Sequence, residues 1–234
     1  LQREAVLGVL FAGALYYGAQ QFLVPESSGV KELSQLNGAP ICVVKGTTHE
    51  EYLATFFRER NWKYVPVVAE SQTKAAEALF AGNCKAFTSE RPQLSAVRMQ
   101  APEGPEEYKL LDEEISSEPL GPVVRRGDDE WYTIVRWVLF ALIKAEEMGL
   151  TQSNVRTQLE DANRPTSLGW KELEGLVAKS LEIPPGWGIR AVESVGNYAQ
   201  VFERNLGEAS SLKEDRGLNR LWKDGGLLYS PPFR

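Results

Sequence analysis

The stretch Ala39-Pro40-Ile41-Cys42-Val43-Val44-Lys45-Gly46-Thr47-Thr48-His49-Glu50-Glu51 decides the fold. Its first half, Ala39 to Lys45, is a short apolar run of the kind that makes a strand. Thr48 then opens a helix, with Glu51 completing a capping box, and Leu53, Phe56 and Phe57 supply the buried face of a helix ending near Asn61. A second strand, Lys63 to Ala69, contains Pro66, which cannot donate to a ladder and is tolerated mainly at a sheet edge. Ser71 to Ala81 reads as a helix with Ala75, Ala78 and Leu79 inward, stopped by Gly82. Cys84 to Thr88 is the third strand, and Leu94 and Val97 mark a further helical turn. Strands alternating with amphipathic helices give βαβ units and a parallel sheet. With the second strand outermost, the first is central and lies beside the third.

That order places Cys42 and Cys84 near the starts of neighbouring parallel strands, where a disulfide is geometrically possible. Two buried thiols in a reduced protein remain the other reading, since cysteine is commonly buried. The spacing of the two makes no zinc signature.

Further along, Tyr108 to Ile115 reads as a strand carrying Asp112, Glu113 and Glu114. Pro119-Leu120-Gly121-Pro122 forbids a helix and suits an extended connector. A lobe boundary is expected there, with Gln21 to Pro25 as the matching crossing, so that two extended strands could act as a hinge. Asp128, Asp129 and Glu130 open the strongest helix, which runs to Gly149 with Ile134, Val138 and Leu142 as its apolar stripe. The acidic start complements the helix dipole, and no fourth ligand at helical spacing makes a metal site of it. Thr151 to Leu159, Lys171 to Leu181, Ile189 to Asn205 and Leu218 to Trp222 complete a mostly helical remainder.

Bulk properties narrow the function. The chain has 234 residues, 43% hydrophobic and 25% charged, enough for one large or two modest cores. A net charge of -6 with no lysine or arginine run excludes a nucleic-acid footprint. The apolar stretch Val6 to Tyr17 is broken by Gly8 and Gly13 and falls short of the ~20 residues a bilayer demands. A secretory leader is not expected there either, since a basic region and a cleavage site are missing.

The sequence offers little for catalysis. His49, the sole histidine, sits in a first helical turn beside Glu50 and Glu51 and is expected to be solvated; no strained-turn serine accompanies it. Neither a P-loop nor a dinucleotide fingerprint occurs. Gly46-Thr47-Thr48, at a strand end leading into a helix, is different. The open amides of the first turn, with two hydroxyls, make an anion seat suited to a carboxylate, although an ordinary N-cap has the same appearance.

Several longer phrases carry a resemblance. They are Gly46-Thr47-Thr48-His49-Glu50, the run from Glu118 to Asp129, Val195-Gly196-Asn197-Tyr198, the run from Val201 to Gly207, Arg216-Gly217-Leu218-Asn219 and the closing Pro231-Pro232-Phe233-Arg234. Together they resemble the general L-amino-acid binding proteins of polar amino-acid ABC importers, from the first residue to the last. The resemblance implies an α/β, type II periplasmic binding protein fold with two lobes and a two-strand hinge. Residues 1-22 would be the tail of lobe 1, 23-118 lobe 2, and 119-234 the return to a helix-rich lobe 1 with a C-terminal helical extension. Relatives carry a sizeable first-lobe portion before residue 1, so the first lobe is expected to be incomplete, as in an N-terminally truncated chain.

The same resemblance implies a periplasmic monomer that holds a free L-amino acid and delivers it to the membrane permease, without cofactor, metal or nucleic acid. Arg3 would grip the α-carboxylate, because its planar fork matches two carboxylate oxygens. Thr47 and Thr48 would add carboxylate contacts from the second lobe. Glu90, where relatives usually carry aspartate, would take the ammonium; an ordinary helix-start glutamate is the plainer alternative. Two other uses of the fold are a cyclohexadienyl or arogenate dehydratase-like enzyme, with Glu90 as general acid, and a sensory ligand-binding module, for which the sequence offers no tethered helix.

Overall fold

The computed structural model describes residues 6–160 and 165–231. By contacts the chain divides into one unit of Gly18–Glu118 and another of Leu1–Tyr17 with Pro119–Arg234.

The Gly18–Glu118 unit is built on five strands: β3 (Gln20–Pro25), β4 (Pro40–Val44), β5 (Val65–Ala69), β6 (Ala86–Glu90) and β7 (Tyr108–Leu110), ordered β5-β4-β6-β3-β7. Strand β4 runs parallel to both neighbours, with Ile41 opposite Ala86 and Cys42 opposite Phe87 on one side and Pro40 to Val44 opposite Val65 to Ala69 on the other. Pro66 lies on the outermost strand, where its missing N–H breaks no ladder bond. The period of two splits β4 between two cores. Ile41 and Val43 join Phe22, Val24, Leu53 and Phe57 on one face, the last two from α1 (Thr48–Glu59). Cys42 joins Leu23, Phe87, Leu79 and Leu94 on the other, beneath α2 (Gln72–Phe80) and α3 (Arg91–Arg98). Within that second core Cys42 and Cys84 form a disulfide, with Cα atoms 5.7 Å apart.

Two expected strands are redrawn. Gln20–Pro25 is no crossing but an inner strand, antiparallel to β6 and β7, because Phe22, Leu23 and Val24 are fully buried between the two cores. The chain crosses instead at β2 (Tyr16–Gly18) and β8 (Glu118–Leu120), which pair with each other. Strand β7 stops at Leu110. Beyond it Leu111 and Ile115 still donate to Phe22 and Gln20, but Asp112 to Glu114 are exposed and Glu113 turns aside to accept from the Leu33 amide at 3.1 Å.

In the other unit β1 (Val9–Phe11) pairs antiparallel with β9 (Val123–Arg125), and the rest is helical. The long helix α4 (Asp129–Glu147) starts as expected, with Asp128 accepting from the Trp131 amide at 2.9 Å. Its buried positions are Leu139, Ala141, Ile143 and Ala145, while Ile134, Val138 and Leu142 are only half-buried. A single stripe fails because the helix is covered on two sides. Ala141 and Ala145 pack with Val155, Trp170 and Val192, whereas Leu139 and Ile143 pack with Tyr198 and Phe202.

Those partners come from α5 (Val155–Glu160), α6 (Pro165–Ser180), α7 (Trp187–Val195) and α8 (Tyr198–Asn205). The continuous helix expected over 189–205 is therefore two. Gly196, at φ 85°, ends the first, and Asn197 caps the second in a reciprocal box with Gln200 while its Nδ2 donates to the Leu150 carbonyl at 2.7 Å. The turn of helix expected at Leu218–Trp222 is two short 3₁₀ pieces, Gly217–Asn219 and Trp222–Asp224. No described helix is long and apolar enough to cross a membrane.

A polar lattice ties β2 and its approach to these helices. Asn219 bonds both backbone groups of Tyr17, at 2.7 and 3.0 Å, and the Tyr198 hydroxyl donates to the Leu15 carbonyl at 2.7 Å. Burial pushes that phenol's pKa well above its ordinary value. Arg216 lies 5.3 Å from the Tyr198 ring centre and forks onto Glu146 at 2.6 and 3.1 Å, with both side chains largely buried.

Two outcomes follow from this packing. Non-reducing mass spectrometry of the digested chain should recover Cys42 joined to Cys84, and reduction should lower stability by about 4 kcal/mol on the chain-entropy account of a loop this long; two alkylatable thiols in unreduced material would contradict it. Arg216→Ala should cost about 3 kcal/mol in urea denaturation, since it strands the buried Glu146 carboxylate, and Arg216→Lys should restore only part.

Candidate functional site

Because β4 and β6 are adjacent and parallel, whatever follows each of them emerges at the same edge of the sheet, the place where open α/β sheets take ligands. After β4 comes the turn at Gly46 and the mouth of α1; at the end of β6 comes Glu90. The sheet thus brings Thr47, Thr48 and Glu90 to one edge, although they are far apart in sequence. Arg3 lies outside the described residues.

The helix mouth differs in detail from the expected capping box. Gly46 takes a left-handed φ of 69°, which turns the chain one residue early, so Thr47 and not Thr48 is the N-cap. Thr47 makes no side-chain cap. Its Oγ1 donates back to the Val44 carbonyl at 2.7 Å, so its hydroxyl proton is already used. Glu51 has no part in the closure; the Glu50 carboxylate accepts from the Gly46 amide at 2.9 Å instead. The Glu50 amide bonds the Thr47 carbonyl, which leaves the Thr48 and His49 amides as the open donors of the first turn. The positive end of the helix dipole lies at the same spot.

Glu90 is the N-cap residue of α3 but caps nothing, and its side chain is only 14% exposed. Its Oε1 lies 3.8 Å from Nε2 of His49. His49 is buried, not solvated as its place in a first turn suggests, because the first turn of α1 lies against the end of β6 and not in open water. Beneath it, Gln20 is wholly buried and its Nε2 donates both to the His49 carbonyl at 3.0 Å and to Thr88 Oγ1 at 2.9 Å; Thr88 in turn donates to the Gln21 carbonyl. Sequence reasoning passed over Gln20. The available signal was an amide pair, Gln20-Gln21, opening an otherwise apolar strand.

This edge offers amide donors and a helix dipole of the kind that suit an anion, and a carboxylate 3.8 Å from an imidazole of the kind that suits a cation. No family model matches the chain. The general L-amino acid-binding periplasmic protein of Rhizobium johnstonii is 42% identical over 236 residues, covering 100% of this chain and 69% of the relative. The glutamate/glutamine/aspartate/asparagine-binding protein of Rhodobacter capsulatus is 40% identical over 232 residues, covering 99% and 68%.

This chain belongs to the amino-acid-binding proteins of ABC transporters. Among solved structures, an ABC transporter periplasmic binding protein from Brucella ovis with glutathione bound is 38% identical and superposes with a TM-score of 0.92, over 100% of this chain and 73% of that one. The fold is the α/β type II fold of periplasmic binding proteins. Within this family member the edge of the Gly18–Glu118 sheet presents Glu90, His49 and the α1 mouth as one cluster, resting on Gln20.

Gln20→Ala should destabilise the chain by about 2 kcal/mol in urea denaturation, since it leaves the His49 carbonyl without its buried donor, whereas Gln20→Glu should be worse because it buries a charge there. Wild-type stability of both variants would show that the amide does not support the site.

Proposed function

We propose that this chain binds free L-amino acids and hands them to the membrane permease of an ABC importer, acting as a monomer and without performing chemistry on its ligand. The observation that carries the reading is the convergence of the open Thr48 and His49 amides with the Glu90 carboxylate at one sheet edge, which matches the two charged ends every free amino acid shares. The relatives' named ligands support the same class, since one is a general L-amino acid binder and another takes glutamate, glutamine, aspartate and asparagine. The family's periplasmic location comes with it.

In this reading the ligand carboxylate takes the two open amides and the hydroxyl of Thr48, while Thr47, whose proton is engaged with Val44, holds the turn in shape. Arg3 supplies the fork on the same carboxylate, as the family resemblance implies. Glu90 accepts from the ammonium. Its side chain is one methylene longer than the aspartate that the family resemblance implies, and it ends beside His49.

Isothermal titration with a panel of L-amino acids tests this. Binding should be seen for the free chain, and Arg3→Ala should abolish it, because each charge-assisted bond contributes about 1.5 to 3 kcal/mol and this side chain makes two. Glu90→Gln should weaken binding by at least about tenfold and remove discrimination against the N-acetylated ligand. Unchanged affinity in both variants would move the zwitterion to another place.

A further inference from the structure

His49, Glu90 and Glu118 are separated by long stretches of sequence, and no spacing rule groups them. All three belong to the Gly18–Glu118 unit, where each offers one ligand atom and the atoms lie within 4.8 Å of one another. They arrive from three elements: the first turn of α1, the end of β6 and the start of β8. Nε2 of His49 is buried, and it has no hydrogen-bond partner. Its side chain is 10% exposed, and the nearest carboxylate oxygen, Glu90 Oε1 at 3.8 Å, is beyond hydrogen-bonding length. A buried polar atom left beside a carboxylate without a bond to it is unfavourable unless something sits between them.

A metal ion meets that condition. Ligand atoms around a tetrahedral ion with bonds of about 2.0 to 2.1 Å are about 3.3 to 3.4 Å apart, so small side-chain rotations close the observed gaps. Polar contacts also position two of the three residues. The Gln20 amide N–H donates to Ser116 Oγ at 3.0 Å, Ser116 Oγ in turn lies 3.2 Å from Glu118 Oε1, and the Gln20 side chain donates to the His49 carbonyl. One buried glutamine therefore steadies the backbone that carries His49 and, through Ser116, the Glu118 carboxylate.

The geometry points to a divalent transition-metal site of the zinc class, formed by Nε2 of His49 and one carboxylate oxygen each from Glu90 and Glu118, with a fourth position open to water or ligand. One imidazole and two carboxylates suit zinc, cobalt or nickel better than calcium, which takes oxygen ligands in larger number. The paired cysteines are not available to compete for the ion. Since Glu90 cannot hold an ion and an ammonium at once, the metal and a free amino acid exclude each other there; this last step rests on the amino-acid reading, while the metal site itself does not.

Titration of zinc chloride into chelator-treated, amino-acid-free chain should show one equivalent bound. His49→Gln and Glu118→Gln should each weaken it at least tenfold, with Asp129→Asn, in the first turn of α4, as the unaffected control. Circular dichroism checks the fold, and Glu118→Gln decides alone if His49→Gln unfolds. Absence of zinc binding by the folded chain, or full affinity in the ligand variants, overturns the site. In a second arm one equivalent of zinc should lower affinity for the L-amino acids at least tenfold, reversed by chelator. Zinc binding without any amino-acid binding would sink the transport reading and leave the metal site standing; amino-acid binding without zinc binding would do the reverse.

Discussion

The parallel pairing of β4 with β6 is the constraint on which the site depends. With Ile41 opposite Ala86 and Cys42 opposite Phe87, both strands run out at the same edge, and the α1 mouth and Glu90 meet there without any local sequence contact. A slip by one residue would turn every side chain of one strand to the opposite face. Glu90 would then leave His49, and Phe87 would leave the core it shares with Cys42. The Cys42–Cys84 bond pins that register from one direction and β3 from the other, through the antiparallel pairing of Gln20 with Glu90. Gln20 therefore fixes Glu90 by backbone and the His49 turn by side chain.

How much of this was legible follows from the range of the forces involved. Pro66 placed its strand at the edge because a missing N–H is a local fact with a global consequence, and the order of the neighbouring strands followed from it. The Asp128 cap was equally local. The buried face of α4 was not, because it is set by which helices lie on its two sides, and the hydrophobic period cannot report that. The break at Gly196-Asn197 sat in plain view as a glycine followed by a capping residue, yet the apolar period continues through it and masks it. His49 in a first turn reads as solvated, and only the strand pairing shows that β6 ends beside it.

The phrases that carry the family resemblance are, in this structure, largely architectural. Arg216 clamps Glu146, Asn219 holds both backbone groups of Tyr17, Asn197 caps α8 and reaches Leu150, and Tyr198 reaches Leu15. Each satisfies a buried backbone or charged group that few other residue types could serve, which is why such phrases stand out in a sequence. They identify the frame. At the sheet edge the glycine-threonine-threonine turn of the resemblance is followed by the buried His49 and faced by Glu90, whose side chain caps nothing.

Glu50 shows how the helix mouth stays satisfied before a ligand comes. Its carboxylate sits on the Gly46 amide at 2.9 Å, doing for the turn what a bound carboxylate would do, and Thr47 spends its proton on Val44. Among the described residues, the donors left for a ligand at the mouth are the Thr48 and His49 amides of the first turn and the Thr48 hydroxyl. A ligand carboxylate arriving on the proposed reading takes the Thr48 and His49 amides beside the Glu50 carboxylate already at the mouth, so repulsion between like charges counts against it. On the proposed reading a guanidinium offsets that repulsion, so the arginine would supply affinity and the helix mouth position.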